Sequence, residues 1–143
     1  MKDAGLKKLY QSYCALSHEE RVSYATKSYA FLWEELGKQG YSKMDAAEIL
    51  LGLTGVLCCC DGIPGKKEHA LFKEAAKSHI SYDQFVHLLS GFRNKEMVEG
   101  TKGFIASLSS EGKDQAYIYC LCLLSADGTI DNYKRRLFKS LIG

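Results

Sequence analysis

Proline occurs once, at Pro64, and no low-complexity tract interrupts the 143 residues, so long disordered linkers are not expected. No charge of one sign dominates. The 19 Lys and Arg residues nearly balance 17 Asp and Glu, and the lysines are scattered along the chain, which removes the basic stripe that nucleic-acid binding needs. The longest uncharged apolar run, Ile49 to Cys60, has twelve residues, whereas a spanning helix needs about 20. It therefore reads as a buried core helix. Met1 to Lys8 mixes charges and carries no apolar signal segment, so the expectation is a cytoplasmic protein that is not exported. There is no Gly-rich phosphate loop, nucleophile elbow or His-Glu-x-x-His pattern, and no enzyme class is nominated. His18, His69, His79 and His87 fall beside polar neighbours or at helix ends and read as surface or capping residues.

Cysteine is present but in no useful pattern. Cys58, Cys59 and Cys60 are adjacent on a helix and point in different directions, and neither they nor Cys120 and Cys122 have the Cys-x-x-Cys spacing of structural zinc. Together with Cys14 they read as free thiols serving as small buried hydrophobes in a reducing compartment.

The length suits one domain, spanning residues 1–143. Apolar residues recur at three and four through most of it, and no period-two stretch is long enough for a sheet. The fold class is all-α, with seven or eight helices. Leu6, Leu9, Tyr10 and Tyr13 mark a first helix from Lys2 to about Ala15. Ser17 with Glu20 has capping-box spacing, and Gly37 suits the end of the second helix. Ser42 with Asp45 repeats the box before the apolar run to Cys60. Asp61-Gly62-Ile63-Pro64-Gly65 must turn tightly, because Gly62 accepts positive φ and Pro64 forbids a continued helix. Helical patterns follow over 66–79, after Ser81 with Gln84, over 94–108, over 110–126, and after Asp131. Gly100 and Gly103 weaken the 94–108 pattern by about 1 kcal/mol each relative to alanine.

A shift of 66 positions superposes Asp61-Gly62 on Asp127-Gly128, Leu71-Phe72-Lys73 on Leu137-Phe138-Lys139, and Leu57 on Leu123. It also lays Asp45 and Glu48 on Glu111 and Asp114. Two repeat units, about 42–77 and 110–143, follow from this. Each has an acidic pair, an apolar helix closing in Asp-Gly, and a second amphipathic helix. The pattern resembles the tellurite-resistance TerB-like family, most closely at Ser125-Ala126-Asp127-Gly128-Thr129-Ile130-Asp131. The resemblance implies a helical fold with internal pseudo-symmetry, acidic clusters proposed to bind metal cations, and a stress-response role with partner proteins. The acidic landmark seven residues beyond the turn is Glu68 in the first copy, but Lys134 replaces it in the second.

Within one copy Glu48 and Asp61 are thirteen residues apart, about 20 Å along a helix, and cannot share an ion. Were the two apolar helices antiparallel, Asp45 and Glu48 would meet Asp127 and Asp131, while Glu111 and Asp114 would meet Asp61 and Glu68. Two composite acidic sites are thus expected, with hard oxygen donors suited to calcium or magnesium. An EF-hand is excluded, since the twelfth loop position is Phe72 in one copy and Phe138 in the other. The competing reading makes the same acids helix caps. The chain is then a structural or homo-oligomeric interaction domain without metal.

Overall fold

The computed structural model describes residues 3–92 and 94–143, without the side chain of Asp3. Among the described residues eight helices form one body: α1 (Asp3–Cys14), α2 (His18–Lys38), α3 (Lys43–Cys59), α4 (Lys66–Ala76), α5 (Tyr82–Leu89), α6 (Lys95–Ala106), α7 (Ser110–Leu124) and α8 (Asn132–Leu141). No strand occurs among the described residues, and no helix there is long and apolar enough to cross a membrane. Lys2, assigned to the first helix by periodicity, lies outside the described residues.

Local chemistry sets most boundaries. The Ser17 and Ser81 capping boxes are both closed, and Asp131 caps α8 by accepting from the Lys134 amide. At α3 only half the expected box forms, for Ser42 accepts from the Asp45 amide but the Asp45 carboxylate does not return to the cap. Gly37 stays inside α2, and the left-handed residue that follows the helix is Gly40, at φ 95°. Gly62 and Gly128 take φ 135° and 90° in the two Asp-Gly turns.

The core sits around α7, where Tyr119, Cys120 and Leu121 to Leu124 are buried. Helix α2 covers α7 most extensively and runs against it. The order of contacts fixes that direction: Arg21 bonds Ser125 at 3.1 Å, Ser28 bonds Gln115 at 3.0 Å, and Glu35 accepts from the Ser109 amide and hydroxyl. Arg21 is itself buried, and its guanidinium also donates to the Tyr13 and Cys14 carbonyls, capping α1 and fastening it to the end of α7. Helix α3 crosses α7 at a buried 2.7 Å hydrogen bond between Thr54 and Tyr119. None of the six cysteines forms a disulfide among the described residues, and Cys58, Cys59, Cys120 and Cys122 are buried with the apolar residues.

Candidate functional site

The eight acids expected to form two composite sites divide differently. Asp61, which follows α3, and Asp127, which follows α7, both exert their field on one ammonium group, that of Lys134 on α8. From the Thr54–Tyr119 crossing the two helices therefore converge towards their C-terminal ends. The antiparallel arrangement on which the composite sites depended is not formed. Asp45 and Glu48 lie at the start of α3, roughly 20 Å along that helix from Asp61. Glu111 and Asp114 lie in the opening turns of α7, a similar helix length from Asp127. The physical reason is that the two apolar helices bury their C-terminal halves against each other and leave their acidic N-terminal turns at the surface.

The convergent pole has its own logic. Lys134 is buried, and its Nζ lies 3.3 Å from each carboxylate oxygen of Asp127. Burial works against its charge, but Asp127, Glu68 and Asp61 outweigh that and hold the ammonium above its usual pKa. Desolvation opposes ionisation of Asp127 too, yet the Thr129 amide and Lys134 keep it below the usual carboxylate range. Glu68 is buried and accepts from the Gly65 amide through Oε1 at 2.7 Å, while among the described residues Oε2 makes no hydrogen bond of regular geometry and the Cys58 thiol acts on the carboxyl there. Its burial raises the carboxyl to about 7, against the lowering influence of the Gly65 amide and Lys134. Asp131 is occupied as the α8 cap. Among the described residues no three His, Cys, Asp or Glu side chains gather to hold a metal ion. The donor set does not fit a divalent cation, because the centre of the acids already carries a tethered positive charge.

Of the other acids, Asp45 and Glu48 border a cleft of about 400 Å³ between α3 and α6, which Glu111 and Asp114 do not line. One wall is Asp45, Glu48, Ile49, Gly52 and Leu53; the other is Glu96, Met97, Gly100, Thr101 and Phe104, with Tyr41 at the edge. Both walls follow helical spacing over about two turns, roughly 12 Å. Phe92 packs where a Cβ on Gly55 would stand, and Met97 approaches Gly52, so α6 runs opposite to α3 and Glu96 sits at the far end from Asp45. No lysine or arginine among the described residues lines the cleft. Asp45, Glu48 and Glu96 make no side-chain hydrogen bond or ion pair among those residues, and Tyr41 and Met44 beside the cleft are exposed.

Two glycines of α3 and α6 differ in their surroundings. A Cβ on Gly55 would come within 2.6 Å of Phe92, so glycine there is required by the core. Gly100, in the interior of α6, has nothing within 4 Å of such an atom. Its cost to the helix, about 1 kcal/mol, has no packing reason inside this chain. The glycine was visible in the sequence as a weakness of the 94–108 helix. What it faces depended on the course of α6 along α3.

No family model, curated protein or solved structure matches the chain.

Proposed function

We propose that this protein is a non-catalytic, TerB-like helical module that docks protein partners through the α3–α6 cleft, with its acidic pole neutralised by its own Lys134 instead of a resident metal. The observation that carries the reading is the cleft itself: apolar floor, helical walls, three unpaired carboxylates at its rim and an interior glycine with free space before it. Clefts of this size and character are where ligands bind. The TerB-like resemblance is supported by the correspondence of buried positions, Leu71 with Leu137 and Phe72 with Phe138, one helical repeat apart. A stress-response role remains part of what that resemblance implies, and a cytoplasmic location is proposed from the cysteine pattern and the charged Met1 to Lys8 segment.

The test is an apolar reporter dye, bis-ANS, titrated into the wild type and into Gly100→Leu. A Cβ at this position meets nothing within 4 Å and leucine improves helix propensity, so the variant is expected to fold at least as well as the wild type, which its thermal melt checks. The reading expects dye fluorescence with the wild type and loss of more than half of it in Gly100→Leu. Equal fluorescence from both proteins would place apolar binding elsewhere and overturn it.

A further inference from the structure

We infer that the occupant of the α3–α6 cleft is a short amphipathic helix of a partner protein, apolar in its middle and bearing Lys or Arg at both ends. This rests on the docking reading above and specifies the partner.

Three features of the cleft select that chemistry. Its walls are two helices whose lining residues repeat at three, four and seven, so the furrow between them runs for about two turns. A third helix laid there presents side chains at i, i+3 or i+4 and i+7, the usual mode of helix recognition in an apolar groove. Gly52 and Gly100 both line the furrow without side chains, the end of Met97 lying 3.9 Å from where a Cβ on Gly52 would stand and nothing within 4 Å of one on Gly100, so a docked backbone can approach closely beside Gly100. The charges then set the ends of the partner. Because α6 runs opposite to α3, Asp45 and Glu48 stand at one end of the furrow and Glu96 at the other. A segment with basic residues at only one end leaves one acidic end unmatched; an acidic segment is repelled at both. Complementary charges of this kind steer association and fix register more than they add affinity.

The competing occupant would be a second copy of this chain. Its most basic helix, α8, buries Leu137, Phe138 and Leu141 in its own core, so its apolar face is not free to enter another cleft.

The probe is a fluorescein-labelled, alanine-based peptide of about 15 residues, long enough to be partly helical, with leucines at i, i+3 and i+7 and lysines at both ends. Fluorescence anisotropy is measured with the wild type, with Gly100→Leu, and with the triple variant Asp45→Asn, Glu48→Gln, Glu96→Gln. Binding to the wild type is expected, weakened about tenfold or more in Gly100→Leu. In the triple variant the affinity falls and loses most of its salt dependence. A matched peptide with glutamates at its ends should bind the wild type at least about tenfold more weakly than the lysine peptide. Equal binding of the two peptides, equal binding to wild type and Gly100→Leu, or no binding of the lysine peptide would overturn the inference. So would self-association of the wild type that Gly100→Leu abolishes, since a second copy would then own the cleft. The bis-ANS titration keeps the two claims apart: if Gly100→Leu removes the dye signal while the peptides fail, the docking cleft stands and only the basic helix falls.

Discussion

Lys134 Nζ lies 3.3 Å from both carboxylate oxygens of Asp127, and this contact closes the pole at which the two Asp-Gly turns meet. The lysine is buried while Asp127 is half exposed, so the energy of the pair resides mainly in where the ammonium is placed. Without it, Asp127, Glu68 and Asp61 would all lose the ammonium on which their fields converge.

Removal of that ammonium is therefore expected to be costly. Lys134→Ala should lose about 2–4 kcal/mol, somewhat less than a fully buried broken pair because Asp127 reaches solvent. Urea denaturation measures the loss. Millimolar calcium should leave the melting temperature of the wild type unchanged, since only a ligand of the native state stabilises it and no three acidic side chains gather there among the described residues.

Glu68 gives the pole a pH signature. Its folded pKa of about 7 exceeds that of an unfolded glutamate near 4.3, so between those values the folded state binds the extra proton. Stability contributed by this group is present below the unfolded value and declines as pH rises through about 7. Glu68→Gln retains an oxygen for the Gly65 amide and cannot ionise. Its melting temperature should fall less than that of the wild type between pH 5 and pH 8. A parallel pair of profiles would assign the decline to other groups.

The two α3 and α6 glycines should respond to substitution with opposite signs. Gly55→Ala drives a methyl group to within 2.6 Å of Phe92 and should cost about 1–3 kcal/mol by overpacking. Gly100→Ala meets nothing and should gain up to about 1 kcal/mol in helix propensity. Paired thermal melts of these variants test whether Gly55 is packed against Phe92 and Gly100 is unpacked.

Arg21 joins three elements with one side chain, through Ser125 and the Tyr13 and Cys14 carbonyls. Arg21→Met preserves much of the buried volume and removes all three bonds. About 2–3 kcal/mol should be lost, and hydrogen exchange should accelerate first at the C-terminal turn of α1, which loses its cap.

Much of the local architecture was legible in the sequence because it depends on neighbours a few residues apart. Ser17 with Glu20, Ser81 with Gln84, and Asp131 each announce a helix start, and the glycines of the Asp-Gly turns announce positive φ. Gly37 misled because a glycine inside a helix and one beyond it look alike until Gly40 takes the left-handed conformation. The direction of α3 against α7 was not legible, since apolar helices of the same period pack either way. That single unknown separated Asp45 and Glu48 from Asp127 and Asp131. Lys134 stood out as a departure from the acidic pattern, but its burial followed only from the convergence of both turns upon α8. Arg21, in a polar run, gave no sign that it would be buried.

Amide chemical-shift mapping by two-dimensional NMR tests the central claim most directly, with the lysine-ended peptide and calcium chloride titrated into separate samples of the intact wild type. Peptide should move the resonances of Gly52, Met97, Gly100 and Phe104 and leave those of Asp61, Glu68 and Asp127 in place, while calcium leaves both groups unchanged. Peptide-induced shifts centred on the Lys134 pole, or a saturable calcium response there, would contradict the account.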